Sequence, residues 1–243
     1  MIQELSPATT TRLVPVDQLS PADLARMFGL LHAHFDGVTI DQFQNDAREK
    51  NWAILIERND QLVGFSMMHV YETYFEGEPV SVVYSGDTIV DPTGWNSAAL
   101  PRTWIESVAK LRKTYSQGRL IWLLLTSGFR TYRLLCAFWR EFYPRYDLTT
   151  PGDWQRLMDH LAFERFGNRY DPACGIVRFE HPQRLRDGLA QVPPGREMDP
   201  HVAFFAARNP SHTAGDELVC ITELTPGNLT PAGRRMAASV QQW

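Results

Sequence analysis

The chain is short of several things that would each have fixed a class at once. Only three of its 243 residues are cysteine, Cys136, Cys174 and Cys220, and they lie far apart. An odd, scattered set with no CxxC pair argues against a disulfide framework and against a zinc site, and points to a reducing compartment, read here as the cytoplasm. Lysine is scarce: Lys50, Lys110 and Lys113 are three of 24 basic residues, a bias that reads as composition drift rather than function. The longest apolar stretch, Leu120–Leu125, is far too short to cross a membrane, and the opening MIQELSPATTTRL has no apolar secretory core. There is no GxGxxG after a strand, no P-loop, no G-x-S-x-G elbow and no HExxH, so no metal or redox cofactor is implied. A net charge of −4 makes no case for a nucleic acid or an anionic lipid partner.

What is present is the composition of an ordinary folded protein, 44% hydrophobic and 21% charged. A chain of this length buries about 70% of its unfolded surface and needs no covalent staples. We expect a mixed α/β single domain over 1–243, with a helical and looped insertion over about 147–200.

The pattern alternates between helix and strand signals. Ser20-Pro21 opens a helix that carries Leu24, Met27, Phe28 and Leu31 inward, and Thr39 with Gln42 reads as a capping box for a second. Trp52–Glu57, Leu62–Tyr74 and Val80–Val90 are strand-like and separated by the turns Asn59-Asp60 and Glu76-Gly77, which predicts an antiparallel meander. A helical stripe from about Ala98 to Lys113 then leads to a strand at Leu120–Thr126, a crossover that implies parallel pairing. Further helices are expected from about Thr131 to Phe142, stopped by Pro144, and from Thr150-Pro151 to about Phe166. Ala173–Pro200 is rich in proline and glycine. Val202–Ala207 and Leu218–Leu224 are read as a closing hairpin, and Thr230-Pro231 as the start of a terminal helix.

That order resembles the GNAT acyltransferases. The residues that carry the likeness are NWAILIERNDQLVGFSMMHV with its Val63-Gly64, VVYSGDTIVDP ending in Val90-Asp91-Pro92, and RLIWLLLTSGFRTYRLLCAFWREFYPR. The resemblance implies a GNAT-like fold with a C-terminal elaboration, in which the family's fourth and fifth strands splay and admit a pantetheine arm. It also implies that the helix after VVYSGDTIVDP points its free N–H groups at phosphate oxygens. The donor would be acyl-CoA or an acyl-phosphopantetheine on acyl-carrier protein, the acceptor an amine, and no cofactor would be covalently bound. Val90, Gly94, Asn96, Ser97, Ala98, Arg130 and Arg133 are the expected donor-binding residues.

The chain departs from the family in two places. Its phosphate loop reads Asp91-Pro92-Thr93-Gly94-Trp95-Asn96-Ser97-Ala98, with one glycine and no basic residue, and Trp139 stands where the family has an acidic tyrosine. Tyr143, one turn later, is the substitute acid. Asp87, a carboxylate inside a strand, is the first candidate base, with Glu72 and His69 as alternatives; a turn aspartate bonded to backbone is its structural reading. Residues 102–145 hold nine basic and two acidic groups, a local balance of +7 that is either a solvated face or a site for a nucleotide phosphate or an acidic carrier protein. The functional expectation is acyl transfer to an amine by direct attack. The rivals are a catalytically inert acyl-binding module and a relative of the carrier-protein-dependent signal synthases.

Overall fold

A computed structural model describes residues 9–94, 97–186 and 188–240. In chain order the elements are β1 (Thr9–Pro15), α1 (Pro21–His34), β2 (Phe35–Asp36), α2 (Ile40–Arg48), β3 (Trp52–Arg58), β4 (Gln61–Phe75), β5 (Glu78–Val90) and α3 (Ala99–Leu111). There follow β6 (Arg119–Thr126), α4 (Phe129–Phe138), α5 (Gly152–Phe166), β7 (Tyr170–Asp171), β8 (Ile176–Val177), β9 (Arg184–Leu185), α6 (Pro200–Arg208), β10 (Glu217–Glu223) and α7 (Pro231–Met236).

One sheet of eight strands, ordered β1-β3-β4-β5-β6-β10-β8-β7, organises the molecule. Every neighbouring pair in it is antiparallel except β5 with β6, which the α3 crossover makes parallel. The meander, the crossover helix and the parallel strand are therefore as the sequence predicts, and the fold is the mixed α/β arrangement that the resemblance implies. The hairpin turns explain its register. Asn59 and Asp60 have φ of 50° and 61°, and Glu76 and Gly77 have 51° and 86°, the left-handed pairs that a two-residue hairpin of the right twist requires.

The two sheet faces carry different helices because side chains alternate along each strand. One face sends Ile54, Met68, Val83, Trp122 and Cys220 into a core shared with α3, α4 and α6. The opposite face has two separate cores: α1 and α2 pack on Leu55, Phe65 and Met67, and α5 packs on Val82, Leu123 and Ile221. Between those two cores the sheet surface is polar, and this gap is part of the site.

Three expectations are corrected. Val202–Ala207 is not a strand but the middle of α6: Asp199 caps it, Pro200 takes its first turn, and Val202 and Phe205 are buried at helical spacing. β10 instead pairs with β6 on one side and β8 on the other. Helix α4 stops at Phe138, well before Pro144, because Trp139 leaves the helix to bridge Leu229 and Tyr143 continues extended to bridge Ile221. β1 was not anticipated; its run of threonines pairs along the edge strand β3 from Thr9–Arg58 to Pro15–Trp52.

Candidate active site in the splay between β5 and β6

Strands β5 and β6 pair from Val80 opposite Arg119 to Ser85 opposite Leu124, and there the pairing ends. A bulge in β5 is the cause. Gly86 faces Met67 and Ile89 faces Phe65, so Asp87 and Thr88 together oppose Ser66 alone. Asp87 takes φ of 47°, a left-handed conformation that aspartate tolerates better than most side chains. The Ser66 and Thr88 hydroxyls meet at 2.7 Å across the bulge, and the Trp122 indole N–H donates to Ser85 Oγ at 2.8 Å in the last paired rung. Beyond it β5 runs to α3, β6 turns at Ser127-Gly128 into α4, and a cavity of about 1780 Å³ opens between them. That exceeds the roughly 300–1,000 Å³ of common small-molecule sites and suits an elongated ligand.

On the face of α3 and α4 the cavity is lined by helix starts. Gly94 is buried, and a side chain there would put its Cβ 2.9 Å from Val90 Cγ1. Ser97 Oγ accepts from the Ala99 N–H at 3.1 Å, and Ser97, Ala98 and Leu100 border the cavity at the start of α3. At α4, Thr126 Oγ1 accepts from the Gly128 N–H at 3.0 Å, and no side chain caps the helix itself. Unsatisfied helix N–H groups of this kind favour anions. Arg130 donates to the Leu189 carbonyl at 2.7 Å, while Arg133 pairs with Asp199 at 3.1 Å.

The opposite end holds a compact set of charges. Lys50 Nζ lies 3.3 Å from Asp87 Oδ2, with the two side chains only 4% and 12% exposed. The Tyr84 ring takes two cations, Arg165 at 4.0 Å and Lys50 at 5.1 Å from its centroid. Gly86 makes room for this, since a Cβ there would sit 2.9 Å from the Tyr84 hydroxyl. Arg165 also donates to His69 Nδ1 at 3.1 Å and to Glu49 at 3.3 Å. Burial works against the Lys50 charge, but Asp87 and Tyr84 favour it and hold the ammonium above its ordinary range. Burial, then Arg165, push the His69 imidazole down to about 4, so it is neutral at pH 7 and its Nδ1 accepts. Burial, then the Asp87 charge, raise two further carboxyls that border the cavity: Asp46 to about 6 and Glu217 to about 8.

Of the residues expected from sequence, Asp87, Val90, Gly94, Ser97, Ala98, Arg130 and Arg133 all border this one cavity. Asn96 lies outside the described residues. His69 is the cross-strand partner of Tyr84 and stands behind it, stacked on Tyr71 and held by Arg165. Glu72 is opposite Ser81, six residues along β5 from Asp87; at about 3.3 Å per residue that is roughly 20 Å. There it accepts from the Gln117 backbone and side chain. Tyr143 is buried beside Trp154 and donates to Glu141 at 2.9 Å; burial takes its hydroxyl up to about 12. The structure thus brings neither Glu72 nor Tyr143 to the cavity. Sequence reasoning missed Asp46, Lys50, Arg165 and Glu217. Only Lys50, one of three lysines and adjacent to a strand start, carried any local signal.

No protein-family model and no curated protein matches the chain. Solved structures do. A probable N-acyltransferase from Enterococcus faecalis V583 is similar over 89% of this chain and 66% of its own, at 11% identity and a TM-score of 0.42. An acyl-CoA N-acyltransferase from Pseudomonas aeruginosa is similar over 49% of this chain and 80% of its own, at 10% identity and a TM-score of 0.38. An aminoglycoside N-acetyltransferase in complex with CoA is similar over 48% of this chain and 77% of its own, at 14% identity and a TM-score of 0.37. The functional reading rests on the cavity and its side chains, not on these likenesses.

Proposed function

We propose that the protein is an acyltransferase that moves an acyl group from a pantetheine thioester to an amine. The observation that carries this reading is the cavity through the splayed β5 and β6, with two helix starts at one end and a titratable cluster at the other. An extended thioester arm would run along the β5 edge beyond Ser85, which has lost β6 as its partner. Its phosphate would sit against the α3 and α4 N-termini, with Arg130 and Arg133 adding charge.

The acceptor would enter from the gap between α2 and α5. Asp87, paired with Lys50 at 3.3 Å, lies there beside Asp46 and Glu217, a carboxyl-rich setting suited to an amine. Attack of the amine nitrogen on the thioester carbonyl forms the N–C bond and breaks the C–S bond. The nitrogen sheds a proton, the sulfur leaves as thiolate and is protonated by solvent, and backbone N–H groups at the bulge would stabilise the oxyanion. Coenzyme A and a carrier protein present the same pantetheine, and both belong in the test. That test is thiol release from acyl-coenzyme A and acyl-carrier protein with a panel of primary amines. Release that requires both substrates supports the reading; a rate equal to uncatalysed hydrolysis across the panel overturns it.

One observation favours a second reading, thioester binding without turnover. The side chain leaving α4 at the cavity is Trp139, packed on Trp104 and Trp122, and an indole cannot serve as an acid. Tight thioester binding with no thiol release would select it.

A further inference from the structure

Glu217 opens β10. Its neighbour Leu218 faces the α3–α4 core and Val219 faces α5, so alternation turns Glu217 toward the α5 side, into the gap of the charged cluster. It borders the same cavity as Tyr84, Asp87, Lys50, Asp46 and Arg165, close enough to feel the charges of Asp87, Lys50 and Asp46. Among the described residues nothing hydrogen-bonds or ion-pairs with its carboxyl, whereas Asp87 has Lys50 and Glu49 has Arg165. A half-buried carboxyl that faces a cavity and has no protein partner is placed where a bound substrate's proton can reach it.

The surroundings set its chemistry. Strand β5 presents Tyr84 and Asp87, α2 presents Asp46, Lys50 follows α2, and α5 presents Arg165. Both cations are engaged elsewhere, Lys50 by Asp87 and Arg165 by Glu49 and the Tyr84 ring. At Glu217, burial and then the Asp87 charge outweigh the opposing Lys50 ammonium and hold its proton up to about 8. A base with that affinity is poised for work near neutral pH, where an ordinary carboxylate is too weak.

Resting on the acyl-transfer reading, we propose that Glu217 is the catalytic base: it takes the proton that the acceptor nitrogen sheds as the N–C bond forms and the thiolate departs, and then returns it to solvent. The Asp87–Lys50 pair, at 3.3 Å, is then the positioning device beside it.

The test has two readouts. In protein labelled with δ-¹³C glutamate, the resonance lost in Glu217→Gln should titrate near pH 8; a midpoint in the ordinary carboxylate range overturns the proposal whatever the activity. In thiol-release assays, kcat/KM should rise through that same pH and keep its midpoint when the acceptor is exchanged for an amine of different basicity. Glu217→Gln should lose roughly two to four powers of ten and the pH limb with it, while binding acyl-coenzyme A as before. A Gln variant that keeps rate and limb sinks the Glu217 assignment alone. Wild-type protein that releases no thiol sinks the acyl-transfer reading, and this proposal falls with it.

Discussion

Replacing Lys50 with methionine is the sharpest perturbation of the cluster. The Lys50 ammonium and the Asp87 carboxylate are 3.3 Å apart and nearly solvent-free. At an effective dielectric of about 20 their attraction is on the order of 5 kcal/mol. Methionine fills most of the volume, so packing changes little, but it leaves Asp87 buried without a counter-charge and close to Asp46 and Glu217. Removing one member of a buried pair costs about 3–5 kcal/mol, and we expect Lys50→Met to lose that much in urea unfolding at pH 7. Adding Asp87→Asn should recover most of the loss, since an amide replaces the orphaned charge. A loss below about 1 kcal/mol, or one that Asp87→Asn does not relieve, would refute the picture of a desolvated, mutually dependent pair.

Other consequences are open to measurement. Glu217 binds its proton up to about 8 when folded against 4.5 in an unfolded chain, so its favourable share of stability is complete below pH 4.5 and lost as pH rises through 8. Thermal unfolding should therefore show Glu217→Gln gaining on wild type at pH 9 and equal to it at pH 4. His69 has the opposite sign: held down to about 4, it costs stability as pH falls from 6.5 through 4. Arg165→Met should move its NMR titration upward, though not fully to the ordinary value, since burial is the larger cause. Gly86→Ala should displace the Tyr84 hydroxyl, cost about 1–3 kcal/mol and slow thiol release; unchanged stability would mean that the close approach at the bulge is not a constraint.

Legibility in the sequence followed range. The meander and crossover could be read because their turns are local: Asn59-Asp60 and Glu76-Gly77 announce hairpins, and the period changes cleanly at α3. Val202–Ala207 could not be told from a strand, since six apolar-rich residues satisfy both periods and only the Asp199-Pro200 cap decides. The α3 end of the cavity could be read for a similar reason, as Val90, Gly94, Ser97 and Ala98, which border it, lie close together in the chain. The charged end was not. Lys50, Asp87, Arg165 and Glu217 come from four distant places and meet only because the sheet order β3-β4-β5-β6-β10 sets the end of α2, the β5 bulge, α5 and the start of β10 around one gap. Tyr143 illustrates the converse: to stand one turn from Trp139 it needs a helix, but the chain is extended there and the hydroxyl donates to Glu141. The basic balance of residues 102–145 is also partly cancelled by acids outside that segment, the distant Glu223 on Arg119 and Asp199 on Arg133 and the adjacent Asp147 on Arg145.

The central claim is that a pantetheine thioester occupies the space where β5 and β6 part. Hydrogen exchange read by mass spectrometry, with and without saturating acyl-coenzyme A or acyl-carrier protein, tests it most directly. The account predicts protection of Gly86–Ile89 and of the α3 and α4 starts at Ser97–Leu100 and Gly128–Thr131, with the far end of the sheet around Glu72 unchanged. Protection absent from all three segments with both donors, or confined to the region around Glu72, would contradict it.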